Sequence, residues 1–422
     1  MWQASVTERA KRRTMRELAH GAIITSAMRE HFLLDSEVTF LNHGSFGALP
    51  REVLQVQQRW MLEMERNPVH FLGRRSAALL AEARQALAAA LGAQGEDLAF
   101  VPNATTGVNI VARSLALSAG DEVLSTDHEY GACIATWQRR CAESGAVWRQ
   151  VEIPLPFEPE AFAARMLAAV TPRTRLLFVS HISSTTALIF PLQRLCEAAR
   201  ERGIVTLVDG AHAPGQMPLD LAALGADFYT GNCHKWLCAP KGSAFLHVRP
   251  ARAGTAPALL EAPVVSWGYV AEQAQVRAEA AGHTGFDAYT GRTPLERRLQ
   301  WQGTRDLSAF LSVPAAIEFQ ARHGWVEQRR RCHAMATELQ REVLARNGLA
   351  PIAPDAALAQ MVPIPVRASD AEGLRRWLYE ERRIEVPVTQ HAGRTFVRAS
   401  VQAYNTRADL ERLRDALAEA GV

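Results

Sequence analysis

Val205-Thr206-Leu207-Val208-Asp209-Gly210 and Asp227-Phe228-Tyr229-Thr230-Gly231-Asn232-Cys233-His234-Lys235-Trp236 are the two stretches that decide the fold. Each reads as a short buried strand with polar residues where the chain leaves it. In open α/β sheets that end of the strand is where ligands bind. Working outward, further apolar runs are separated by helical stretches. They are Leu98–Val101, Glu122–Ser125, Ala146–Val151, Leu176–Ser180, Val205–Asp209, Phe228–Thr230 and Ser243–His247. The alternation predicts an α/β architecture, a large and mainly parallel seven-stranded sheet with helices on both faces.

Flanking this core, Pro50 to Arg66 keeps apolar residues at Val53, Val56, Trp60 and Met64, which predicts an amphipathic helix ended near Asn67-Pro68. Ala77 to Leu91 reads as a helix closed by Gly92. Ala251 to Gln300 is less regular and reads as a functional loop region or a plain surface excursion. A helix carrying Leu311, Ala315 and Phe319 follows. The tail then reads strand (Met361–Val366), helix, strand (Ile384–Val388), strand (Thr395–Ser400) and a last helix behind the capping box Thr406-x-x-Asp409. The expected division is a large domain over 51–309, a smaller C-terminal α/β domain over 310–422, and a segment 1–50 packing on the smaller one.

The chain has 422 residues, 48% of them hydrophobic and 22% charged, enough for one large core and a smaller one. Its net charge of +3 is spread rather than clustered, which argues against a nucleic-acid partner. No apolar run reaches membrane-spanning length, and no signal core follows the basic residues Arg9 to Arg16, so a cytoplasmic location is expected. The six cysteines show no disulfide spacing, and Cys233, His234 and Cys238 lack the second half of a metal site. No metal is expected.

Asp209 and Lys235, delivered on strand ends, suit pyridoxal phosphate: a lysine amine forms the Schiff base and a carboxylate partners the protonated pyridine nitrogen. Asn103-Ala104-Thr105-Thr106-Gly107-Val108-Asn109 follows one strand and opens a helix, as either a phosphate cradle or a simple N-cap turn. In Asp127-His128-Glu129-Tyr130-Gly131 an aromatic side chain either stacks on the cofactor ring or is packed in a loop. His212, three residues after Asp209, is placed to reach the cofactor's phenolic oxygen. No GxGxxG turn follows a strand, and neither HExxH nor GxSxG occurs, which removes dinucleotide, zinc-protease and serine-hydrolase readings.

The runs FLNHGSFGALP (40–50), NATTGVN (103–109), TDHEYGA (126–132), SHISSTTA (180–187), VDGAHAPGQ (208–216), GNCHKWLCAPKG (231–242), WQGTRD (301–306) and VRASVQAYNT (397–406) resemble the class V aminotransferase family of fold-type I pyridoxal phosphate enzymes. Within it, they are most similar to the isopenicillin N epimerase-like branch. The resemblance implies that Lys235 carries the cofactor and that Asp209 holds the pyridine nitrogen. Tyr130 lies over the ring, and His212 meets the phenolic oxygen. It implies phosphate contacts from Thr105, Thr106, Asn232 and His234. Thr304 serves the neighbouring subunit of a homodimer. Arg398 grips the substrate α-carboxylate, and Asn42 and His43 line the substrate side. Arg74, Arg75 and Arg305 either bind a distal carboxylate or lie solvated on the surface.

The implied activity is epimerisation or racemisation at Cα of an amino acid or short peptide. The alternatives are carbon–sulfur β-elimination and transamination; a non-catalytic cofactor-binding protein has no feature in its favour. An epimerase needs a second acid besides Lys235, for which Tyr130 and His43 both qualify. One departure separates the chain from cysteine desulfurases, which carry a catalytic cysteine shortly before the arginine. Val386 to Arg394 holds none, which argues against persulfide chemistry.

Overall fold

The computed structural model describes residues 27–250, 260–278 and 287–422. Its strands in chain order are β1 (Thr39–Phe40), β2 (Leu98–Val101), β3 (Glu122–Thr126), β4 (Val147–Val151), β5 (Thr174–Ser180), β6 (Val205–Asp209), β7 (Phe228–Asn232), β8 (Ala244–Val248), β9 (Met361–Val366), β10 (Ile384–Glu385), β11 (Val388–His391) and β12 (Arg394–Ser400). β2 to β8 form one seven-stranded sheet in the order β2-β8-β7-β6-β5-β3-β4. All its pairings are parallel except those of β8, which runs antiparallel to both neighbours. This is the fold-type I architecture that the apolar runs predict.

The continuous apolar runs follow from burial on both faces. Side chains alternate across a strand, so Leu177, Val179 and Val208 enter one core while Leu176, Phe178 and Leu207 enter the other. Helices close both faces. One of them, Ala104–Ser114, lies against the end of β7 because residue 107 is glycine: a Cβ there would stand 2.2 Å from Thr230 Oγ1. The helix Arg51–Arg66 ends at Asn67, and Ser76–Leu91 ends at Gly92 in the left-handed conformation, as expected.

Four expectations need correction. Ile384–Val388 is two strands. β10 pairs in parallel with β1, whereas β11 pairs with β12, because Pro387 has no N–H to continue a ladder. Its carbonyl instead accepts from the Arg398 amide. The described part of 251–300 is largely helical (Trp267–Ala278, Asp287–Thr290, Pro294–Leu299), the last helix opened by a Thr293–Glu296 capping box; 251–259 and 279–286 lie outside the described residues. The helix through Leu311 and Phe319 restarts at Val313 around Pro314, and its core residue is Ala316, not Ala315. The long helix Trp325–Asn347 was not anticipated. Its charges at Arg329, Arg330 and Arg331 obscure the buried stripe of Cys332, Met335, Ala336 and Leu339.

The three-stranded antiparallel sheet β11-β12-β9 forms the second sheet. Residues 27–50 join this part of the chain through the pairing of β1 with β10, through the bridge of Asn42 to Ser400 on β12 and through Phe32 against Tyr404. The expectations for residues 1–26 lie outside the described residues.

Candidate active site

The ends of β5, β6 and β7, the start of the helix Ala104–Ser114 and the middle of β12 converge on a cavity of about 470 Å³. Lys235, Asp209, His212, Tyr130, Thr105, Asn232, His234 and Arg398 all line it. Eight of the expected site residues therefore meet in one cavity.

Lys235 is half-buried at the cavity, and its Nζ lies 3.2 Å from His212 Nε2. Burial, followed by the nearby Arg398 charge, brings its amine from the usual lysine range to about 8. Asp209 ends β6; its Oδ1 accepts from the Ala211 amide at 2.9 Å, and the Cys133 thiol donates to Oδ2 at 3.6 Å. No cation forms an ion pair with it among the described residues, and burial holds its carboxyl above the ordinary range. A group of this kind calls for a cationic partner. His212 Nδ1 accepts from Trp236 Nε1 at 3.4 Å, so the ring carries its proton on Nε2, which faces the cavity and can donate to an oxygen.

The first turn of Ala104–Ser114 makes an anion seat. Asn103 Oδ1 caps the Thr106 amide at 2.8 Å, and Asn232 Oδ1 takes the Ala104 amide at 2.9 Å. Among the described residues the Thr105 amide between them meets no acceptor, at the positive end of the helix. His234 Nδ1 donates to the Ser243 carbonyl at 2.9 Å, which leaves Nε2 for the cavity. Arg398 is buried. One terminal nitrogen donates to the Ser184 carbonyl and at 3.3 Å to its hydroxyl, and the other reaches Ser45 Oγ at 3.4 Å. Its Nε meets no acceptor among the described residues. An enclosed carboxyl, an amine near neutrality, an anion seat and an under-satisfied guanidinium fit pyridoxal phosphate together with an amino acid.

Four of the expected residues stand elsewhere. His43 is fully buried with both ring nitrogens occupied, Nδ1 3.0 Å from Tyr404 Oη and Nε2 3.0 Å from the Lys235 carbonyl. Burial brings it down to about 3, so it stays neutral and structural rather than lining the substrate side. Asn42 donates to Glu385 and accepts from Ser45, tying β1 to β10 instead of facing the cavity. Thr106 turns its hydroxyl to Asn103 at 3.0 Å, outside the cavity. Thr304 is exposed and lines no part of it. Nor do the distal arginines: Arg75 pairs with Glu63, Arg305 donates to the Gln300 carbonyl, and Arg74 is absent from the lining.

Missed were Asn103, Ser180, Ser184, Ser45 and Phe46, all on the cavity wall. Asn103 lies in the run read as a phosphate cradle or N-cap turn, and the serines and Phe46 lie in runs that resemble the family without a role for these residues, since serine and asparagine in loops are ordinary turn residues. All six cysteines are buried and free, and Cys332 packs in the helix Trp325–Asn347.

A model of the family "Aminotransferase class-V" matches residues 40–413. The chain is 41% identical over 402 residues to an isopenicillin N epimerase of Amycolatopsis lactamdurans, covering 93% of this chain and 97% of that one. It is 32% identical to a putative L-cysteine desulfhydrase 2 of Oryza sativa subsp. japonica, covering 95% and 88%. Among solved structures, a C-DES variant with glycine covalently linked to its pyridoxal phosphate cofactor superposes with a TM-score of 0.76 at 24% identity, covering 93% and 99%.

Proposed function

The chain belongs to the class V aminotransferase family and is a pyridoxal-phosphate-dependent enzyme, and from that premise we propose that it is an isopenicillin N epimerase-like epimerase or racemase, inverting Cα of an amino acid or a short peptide. The observation that carries the reading is the pairing of Lys235 with Tyr130 on the lining of one cavity, beside the 41% identity to an isopenicillin N epimerase. When bound, the cofactor supplies an aldehyde that captures an amine and a protonated pyridine ring that takes up the electron pair released at Cα.

Everything else is the work of this chain. Asp209 holds the pyridine proton, and His212 donates Nε2–H to the phenolic oxygen. The Thr105 amide, His234 and Asn232 hold the phosphate. Arg398 fixes the α-carboxylate with a planar fork, which orients the Cα–H bond. Lys235, an amine brought to about 8, takes the α-proton onto Nζ at neutral pH. Tyr130 is the acid for the opposite face: its side chain is about half exposed at the cavity, whereas His43 is sealed behind the Lys235 carbonyl.

A second reading is carbon–sulfur β-elimination, which the likeness to the cysteine desulfhydrase favours. It uses Lys235 and Arg398 in the same way and needs no acid on the far face.

We further propose a homodimer in which Thr304 completes the partner's anion seat. Exposed Leu62, Val69 and Val265 support a covering surface. The division at 309/310 between the large and small units is proposed on the separate sheets, with 27–50 joining the smaller unit through β1. A cytoplasmic location is supported by six free, buried thiols. Among the described residues no helix is long and apolar enough to cross a membrane.

The deciding experiment is incubation of the holoenzyme with a panel of L-amino acids and short peptides in D2O. Deuterium at Cα with mixing of the enantiomers supports the epimerase. Keto acid with released thiol supports elimination. Neither product from any substrate in the panel counts against both.

A further inference from the structure

Two buried carboxyls stand under the floor of the cavity. Besides Asp209 there is Glu129, in the loop between β3 and the helix Gly131–Ser144 and only 4% exposed. Its Oε1 accepts from Thr126 Oγ1 and its Oε2 from Ser180 Oγ, both at 2.6 Å. Among the described residues no lysine, arginine or histidine forms an ion pair with it. Ser180 lies beside Asp209 in the β5–β6 register and lines the cavity.

The groups packed around Glu129 are few. Thr126 comes from β3, Ser180 from β5, Asp209 from β6 and Cys133 from the following helix. Lys235 is the cation of this cluster, and its charge acts on Asp209 and Cys133. His128, next in the chain, directs its ring to Thr186 and to the Ile153 carbonyl instead. A carboxylate so placed has lost water and gained only neutral donors, from Thr126 and from the side chain and backbone of Ser180, which disfavours its charge. Burial, with a smaller contribution from Asp209, brings the Glu129 carboxyl up to about 7.

We propose that Glu129 is a positioning residue for Asp209: by holding or releasing a proton against Ser180, it sets whether one or two negative charges lie beneath the cofactor's pyridine nitrogen. With Glu129 neutral, Asp209 alone balances the pyridinium. With Glu129 ionised, a second negative charge strengthens the ring's hold on its proton. The inference rests on the proposed assignment of Asp209 to that nitrogen.

The test compares wild type with Glu129→Gln, which fixes the uncharged form at the same size. In the holoenzyme loaded with cofactor 15N-labelled at the pyridine nitrogen, the nitrogen resonance should move with pH around a midpoint near 7 in wild type. It should stay flat in the variant. The cofactor-free protein gives an independent readout. A carboxyl raised on folding stabilises the fold below its unfolded range, and that stability is lost as pH rises through the folded value. The wild-type Tm should therefore fall between about pH 5 and 7.5 relative to Glu129→Gln. If Glu129→Gln does not fold, Glu129→Asp, which keeps the charge but shortens the reach to Ser180, should shift the same midpoint. An unchanged resonance midpoint, or superimposable Tm profiles, would overturn the proposal. Asp209→Asn separates the two claims. A pyridine nitrogen still protonated in Asp209→Asn means that the assignment of Asp209 has failed. A nitrogen that loses its proton there, with wild type and Glu129→Gln alike, means that only the role of Glu129 has failed.

Discussion

The two walls of the cavity are built differently. The wall from the seven-stranded sheet carries Asp209 and Asn232, buried on the ends of β6 and β7, and His234 and Lys235 on the turn that follows β7. The opposite wall is assembled from pieces distant in sequence: Ser45 and Phe46 after β1, Ser184 after β5 and Arg398 on β12. Arg398 is held there by loop oxygens, and Phe46 stands 74% exposed at the rim. A rigid wall suits the part that every reaction of the cofactor shares. An adjustable wall suits the part that selects substrate and outcome, which is how one fold hosts many chemistries.

If that contrast is right, damage to the first wall should stop all chemistry and damage to the second should redirect or weaken it. The largest effect is expected from Lys235→Ala: loss of the borohydride-reducible visible band and a fall in turnover of at least about 10³-fold. A retained reducible band would mean that another lysine serves. Tyr130→Phe should slow enantiomer mixing by roughly 10²-fold while sparing one-sided deuterium exchange, because only the far-face proton is affected. Equal loss of both would move Tyr130 onto the cofactor wall.

Arg398→Ala should raise KM by roughly 30- to 150-fold, corresponding to about 2–3 kcal/mol for a charge-assisted bond, and leave the cofactor band in place. The walls are nevertheless coupled electrostatically. Burial and then Arg398 lower the Lys235 amine to about 8, and only the unprotonated amine attacks an aldehyde. Cofactor capture by the cofactor-free enzyme should therefore rise with pH around a midpoint near 8. In Arg398→Ala that midpoint should move upward, read by stopped-flow absorbance. The smallest catalytic effect is expected at His43. His43→Ala should cost about 2–3 kcal/mol of stability, by emptying a buried site between Trp236 and Tyr404, with turnover of the folded protein nearly unchanged.

The same contrast governs what could be read from the chain. The first wall was legible because a buried strand writes itself as an apolar run, and a polar residue at its end has few other reasons to be there. All seven strands of the large sheet were located within two residues of their observed bounds. His43 was misplaced because its run marks a close approach rather than a chemical group. Gly47, at φ +72° and with its missing Cβ 2.0 Å from the His234 carbonyl, lets this segment pack beneath the lysine loop. Ser45, Ser184 and Phe46 were overlooked because their function comes from β12 arriving opposite them, and no local pattern records that meeting. The division of Ile384–Val388 was hidden for a related reason: β10 is a strand only because β1 pairs with it.

That last pairing has a consequence for the birth of the molecule. Asn42 and Glu385, which bond where β1 meets β10, are 343 residues apart. A ribosome adding about 5–20 residues per second leaves β1 waiting roughly 20 to 70 seconds for its neighbour. Throughout that interval the apolar Phe40 and Leu41 have no sheet to join, although the rest of the large sheet can already assemble. β1 is placed only after β10 has been made, and the wall that carries Arg398 closes later still.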